Sequence, residues 1–544
     1  MNKGIKSLSM AILGVAAIAC SSPEKMAEQA ENVIVSTEPA VLEVVAGVID
    51  AKVTVTYPAD YFNPKAILEV TPVIVYEGGE VAMEPYMFQG AKVKENYEVV
   101  PSEGSKVTKP VHFEYVEGME NCYLELRGVV KAKKKTIDLP SKKAADGANC
   151  TYMLVCKKGK VDLKADGYQE IIAQTAEGQI LYTINSSDVR SKELKGQSVK
   201  DFQAALDEIA ANERKALKGT EVVAYASPDG GEELNGKLSD KRAKSGEKAF
   251  GKVTKGKEVG ETTVTSVGQD WEGFQELVAA SDIEDKDLII RVLSMYSDPA
   301  VREQEIKNMS SVYKTLASDV LPELRRARFI ANVEFTNYTS EELIALIDEN
   351  IDILDEPALL RAATLVEKPA DKIALYNKAI EKFDSAIAKY NKAVVFIKDE
   401  KLAEAKDALA ACEEDADVLN AKGVIALQEN NLAEAAKKFA AAGNDAAKEN
   451  LAVLDILNGK YDAAAAKLAG KDGFNAALAQ ILVKNYAAAS AAIKCDCAKG
   501  AYLKAIIAAR QGDADAVKAN LENAKKCDCL AKRAEKDIEF AQYK

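Results

Sequence analysis

The stretch AYASPDGGEELNGKLSDKRA, residues 224–243, decides how the middle of this chain is read. Small and β-branched residues from Val222 to Ala226 read as the end of a strand. They run into Ser227-Pro228-Asp229-Gly230-Gly231, a cluster of turn formers. From Asn235 the spacing becomes helical, with Leu238 and Ala243 separated by charged residues. A strand, a turn and a helix opening onto one edge make a pocket for a small polar ligand.

Working outward, a strand over 180–184 and a helix face from Phe202, Leu206 and Ile209 precede the stretch. Strands over 262–267 and 328–335 follow it, the last behind Arg325 and Arg326. Amphipathic helices are inserted between Trp271 and Pro322. The order is β-α-β-α-β with a helical insertion. In wording it resembles the OmpA-like C-terminal domain family, whose signature is roughly GHTD-x-x-G-x-x-x-x-N-x-x-LS-x-x-RA. Gly230, Asn235, Leu238, Ser239, Arg242 and Ala243 stand in register with it. The resemblance implies a cleft that holds the diaminopimelate of peptidoglycan, with Arg242 gripping a carboxylate bidentately. Ser227 stands where the family has its Asp, and Asp229 is the nearest acid that would replace it. The ligand-binding candidates are therefore Arg242, Asp229, Ser227 and Asn235. The Ala226-Ser227-Pro228-x-Gly230 turn and inserted Trp helix are also similar to outer-membrane proteins of Bacteroidota.

The N-terminus reads as an export signal over 1–19. Lys3 and Lys6 precede an apolar run that ends in Ala17-Ile18-Ala19-Cys20. That ending looks like a lipobox. It predicts an acylated Cys20, a tether over 20–39 and attachment to the outer membrane, on its periplasmic face rather than the cell surface. A cut nearby in an ordinary secreted protein is the plainer alternative.

Residues 40–175 carry period-two runs: Val53, Val55 and Tyr57; Val111, Phe113 and Tyr115; Cys122, Leu124 and Leu126. Turn clusters separate them, which predicts an antiparallel β-sandwich. The OmpA-like domain takes 176–338. Over 339–544 the chain is helical and alanine-rich, with related phrases starting at 401, 431, 460, 485 and 513. They resemble degenerate tetratricopeptide repeats, which predicts a solenoid with a concave groove for a protein partner of the outer membrane. The fold expected is multidomain: β-sandwich, α/β domain, helical-repeat solenoid.

A formal charge of −13 and the lack of a basic patch with interleaved aromatics exclude nucleic acid as a partner. The single histidine, His112, lies mid-strand, and Walker, HExxH and dinucleotide motifs are missing, so no cofactor and no enzyme activity are expected. A hydrolase or transferase would need a nucleophile and base that the sequence does not offer. Cys495-Asp496-Cys497 and Cys527-Asp528-Cys529 lie about one repeat apart. Disulfides between adjacent repeats, a four-thiolate metal site or a bare turn phrase all fit that spacing. Trp271 reads as core or as a cap on the cleft, and Lys131 to Lys135 as a solvated hairpin edge. The role expected is a non-enzymatic scaffold that also contacts the cell wall, with a true peptidoglycan anchor as the alternative.

Overall fold

The computed structural model describes residues 22–283, 286–308 and 310–543; Cys20 and the export signal lie outside them. The chain divides into two compact units. One combines the chain up to Lys164 with Ala386–Lys544, and the other is Ala165–Ser385. A β-rich N-terminal region and a long α-helical C-terminal part are both present, as expected. They pack as one unit, however, and the expected boundaries at 175 and 338 both fall inside the other.

In the first unit the alternation seen in sequence becomes burial. Val53 and Tyr57 of strand Val48–Tyr57, Val111 and Phe113 of Ser105–Glu114, and Leu124 and Leu126 of Cys122–Ala132 all face the core. Val48–Tyr57 pairs antiparallel with Ser105–Glu114, and Ile67–Tyr76 with Cys122–Ala132. Two pairs depart from the expected all-antiparallel pattern: Lys142–Asn149 with Val41–Val45, and Glu98–Val100 with Tyr86–Gly90, are parallel. Val41–Val45 and Lys142–Asn149 are joined by a long connection, as parallel pairing needs, whereas residues 91–97 alone link Tyr86–Gly90 to Glu98–Val100. Two layers share the core, for Val35, Val55 and Tyr57 line one small cavity together with Leu68, Val70 and Leu126.

The helices of this unit form antiparallel hairpins, such as Ala416–Gln428 with Leu432–Ala442 and Ala498–Gln511 with Ala514–Ala524. The polar breaks between them are caps. Asp415, Asn431, Asn444, Asn485 and Asp513 each accept the N–H of a residue in the first turn that follows. At one crossing Gly423 lets the Phe439 ring lie on the backbone, where a Cβ would meet that ring at 2.6 Å.

The second unit holds a four-stranded sheet in the order Ile171–Leu181, Arg326–Thr336, Lys215–Ala226, Thr262–Gln269. The last pair is parallel and the others antiparallel. Helices Gln197–Ala211 and Glu232–Val253 bury Phe202, Leu206, Phe250 and Val253 against Val222, Ala224 and Phe329. The segment after Asp270 is a lobe with its own core, built from Phe274, Val278, Ile289, Leu293, Leu316 and Leu324. Among the described residues no helix is long and apolar enough to cross a membrane.

Candidate functional site

Strand Lys215–Ala226 ends where Ser227 begins the turn, and helix Glu232–Val253 starts after Gly231. Asn235 ties this turn together, donating through Nδ2 to the carbonyls of Ser227 (3.0 Å) and Gly230 (2.7 Å). The Ser227 hydroxyl donates to Asp229. The structure thus brings Ser227, Asp229 and Asn235 together.

Arg242 follows another path. Its side chain is only 1% exposed, and its described hydrogen bonds all go to backbone carbonyls. Nε donates to Ser186 (3.0 Å), Nη1 to Tyr225 (2.9 Å) and Nη2 to Thr183 (3.3 Å). The guanidinium lies over the Tyr182 ring at 5.0 Å. Burial pulls its pKa down to about 10. The carboxylate of the turn is held instead by Arg325, whose Nη2 lies 3.3 Å from Asp229. Its neighbour Arg326 grips the 2%-exposed Asp270 at 2.9 Å, and Asp270 caps the helix Trp271–Ala280 by accepting the Gly273 N–H. Two consecutive arginines therefore lock the turn and the start of the lobe. Trp271, Phe274 and Tyr313 of the lobe line a small cavity together with Pro228 and Asp229, so the lobe borders the edge of the turn. Trp271 donates to Gln269 at 2.9 Å and packs edge-on against Phe274.

A second constellation was not foreseen. In the first unit, residues 155–164 run as an extended strap along the helical hairpins. Asn475 accepts the Cys156 N–H (2.8 Å) and donates to the Cys156 carbonyl (2.9 Å). Asn450 does the same for Lys160 at 2.6 and 2.9 Å, and Asn420 donates to that carbonyl at 3.0 Å. Asn391 accepts from Lys164 N–H (2.8 Å) and donates to its carbonyl (3.0 Å). Gln428 reaches the Lys158 carbonyl at 2.6 Å. An amide side chain carries one acceptor and two donors, so each can satisfy both backbone groups of an extended residue. Acids at the rim take the strap lysines: Lys158 on Glu400 (2.9 Å), Lys160 on Glu449 (2.9 Å) and Lys164 on Asp415 (2.5 Å). Glu449 thereby raises the Lys160 ammonium above its ordinary pKa. Val155 and Val161 are buried beneath. The sequence signal was there: Asn391, Asn420, Asn450 and Asn475 recur at about the spacing of the helical phrases.

The remaining candidates lie apart from both sites. His112 is exposed and pairs with Asp50 across the strands at 2.7 Å. Lys131 and Lys135 pair with Glu69 and Glu24 on the hairpin edge, each at 2.5 Å. Cys495 is bonded to Cys497 within its own motif rather than to the next repeat. Cys527 and Cys529 are free thiols. Among the described residues no group of three or more His, Cys, Asp or Glu is arranged to hold a metal.

No family model matches the chain, and no curated protein matches it significantly. One solved structure to which it is similar is a tetratricopeptide repeat protein from Parabacteroides merdae ATCC 43184. The identity is 13% and the TM-score 0.28, covering 43% of this chain and 99% of that one.

Proposed function

We propose that the protein is a scaffold of the outer membrane, anchored by acyl chains on Cys20, with an OmpA-like domain in the second unit and tetratricopeptide-like hairpins in the first. The observation that supports this best is the asparagine clasp on residues 156–164. Hairpins that spend their inward amides on their own chain make a stiff body for presenting surfaces. An outer-membrane protein partner would then dock on hairpin faces away from the strap. Recovery of one stoichiometric outer-membrane protein with the intact lipoprotein from membrane extract is the expected result, and recovery of none overturns the reading. Mass spectrometry of the mature N-terminus is expected to find diacylglyceryl-Cys20.

The second reading, a peptidoglycan anchor, rests on the residues in register with the OmpA-like signature. It requires a ligand carboxylate to draw Arg242 away from three backbone carbonyls. Retention on sacculi that depends on Arg242 would favour it over the scaffold.

A further inference from the structure

Both Cys-Asp-Cys motifs lie at helix starts, but two residues out of step: Cys495 and Cys497 precede helix Ala498–Gln511, whereas Cys527 precedes helix Asp528–Lys536 and Cys529 lies in its first turn. The first is a disulfide. In the second, two thiols face each other with their sulfurs 2.8 Å apart. Cys529 is exposed and lines a cleft of about 700 Å³, beside Tyr115, Glu120, Lys532 and Lys536. The cleft is wide enough to admit another chain or a small thiol compound.

We propose that Cys527 and Cys529 form a thiol–disulfide exchange site, a dithiol that reduces a disulfide brought into this cleft and closes on itself. This stands independently of the scaffold reading. The thiolate is the attacking form of cysteine. The Cys529 thiol, and after it the Leu530 N–H, hold the Cys527 thiol below its ordinary range, while the same contact raises Cys529. Cys527 does not itself line the cleft, but its sulfur lies 2.8 Å from that of Cys529, which does, so a disulfide seated there reaches both. Cys527 is the first nucleophile and Cys529 the resolving thiol. The Cys527 thiolate attacks one sulfur of a substrate R–S–S–R′. A Cys527–S–S–R bond forms, the substrate bond breaks, and R′–S⁻ leaves and takes a proton from water. Cys529 then gives up its proton and attacks the Cys527 sulfur. R–S⁻ leaves and is protonated, and a Cys527–Cys529 disulfide remains. Two electrons pass from the dithiol to the substrate disulfide, which is the oxidant. The buried thiols Cys122 and Cys150 contrast with this pair, for desolvation pushes each up to about 12.

The test uses the full chain with Cys495→Ser and Cys497→Ser, so that the thiols counted come from one motif. Glutathione disulfide and a disulfide-bridged synthetic peptide are the two probes. Each is expected to release two thiols per protein and leave Cys527 bonded to Cys529. Adding Cys529→Ser should trap a mixed disulfide on Cys527, located by peptide mass mapping. The ratio of the two rates distinguishes a small-molecule from a protein disulfide as substrate. Labelling of Cys527 should also exceed that of Cys156 and Cys412 by tenfold or more. Labelling no faster than those thiols, or unchanged release after Cys527→Ser, overturns the proposal.

Discussion

Asn450 closes both hydrogen bonds of Lys160, a residue 290 positions earlier, accepting its N–H at 2.6 Å and donating to its carbonyl at 2.9 Å. The same Nδ2 also donates to Asn420 Oδ1 at 2.9 Å, so the clasp is a connected network rather than a row of separate contacts. Connected buried amides lose more than one bond when one member is removed.

Asn450→Ala is therefore expected to destabilise the first unit. It leaves the Lys160 N–H without its acceptor, and a buried polar group in that state costs about 1–3 kcal/mol. Urea unfolding should show the loss. Trypsin should also cut at Lys157, Lys158 or Lys160 faster than in the native protein.

Gly159→Val should loosen the strap without touching an asparagine. Gly159 has φ of +72°, and a Cβ there would meet Val424 Cγ1 at 2.7 Å. Strain of this kind costs about 1–3 kcal/mol before the clash is counted. Proteolysis within the strap should exceed that of Asn450→Ala. Unchanged cleavage would show that the strap lies elsewhere.

In the second unit, Arg242→Ala should cost about 3 kcal/mol or more, since three carbonyls lose a donor within a buried site. Arg325→Ala should cost less but free Asp229 for a ligand ammonium. Calorimetry with a diaminopimelate muropeptide should find stronger binding to Arg325→Ala than to the native protein. Equal binding would show that Asp229 does not substitute for the acid missing at Ser227.

The C-terminal end of the first unit supplies a pH dependence. Glu539 is deeply buried and accepts from Arg510 Nη2 (2.5 Å), Thr151 (2.6 Å) and Asn149 (2.8 Å). Burial raises its carboxyl, but Arg510 and the other donors outweigh burial and leave the pKa below its ordinary value. A carboxylate depressed in the folded state stabilises fully above its unfolded value, near ~4.3, and loses that contribution as pH falls through the folded value. Glu539→Gln should thus cost about 3 kcal/mol near neutrality, because Arg510 is left without its counter-charge. The gap between mutant and native unfolding energies should begin to narrow as pH falls past the unfolded value and close only below the lower folded one.

Period-two runs gave the long strands Val48–Tyr57, Ser105–Glu114, Cys122–Ala132 and Arg326–Thr336, and the alanine-rich phrases gave the hairpins, because burial on one face imposes those spacings directly. The turn Ser227–Gly231 was also legible, since turn chemistry is local; Asn235, expected at a ligand, is spent on carbonyls of the turn instead. The strap was not, for residues 155–164 have no period and their partners lie more than two hundred positions away. The same holds for Arg325, which stands beside Asp229 only after the lobe has closed. Arg242 stands on the helix that its spacing predicts, yet its burial among carbonyls depends on a loop at Thr183 and Ser186 whose conformation no local pattern encodes. The parallel pairing of Lys142–Asn149 with Val41–Val45 likewise depends on where a long connection returns.

The strap has a consequence for biogenesis. Its asparagines are synthesised after it, and Ala165–Ser385 comes between them in the chain. When Lys164 emerges from a ribosome or a translocon, Asn391 does not yet exist, and Asn475 arrives last. Until then Val155 and Val161 have no groove to enter. If the inserted unit folds first, the slack that separates Lys164 from Ala386 shrinks, and so does the entropy of closing that loop. The assembly order is then written into the chain: inserted unit first, clasp last, with the backbone groups of Cys156, Lys160 and Lys164 lacking their asparagine partners until the end of the chain arrives.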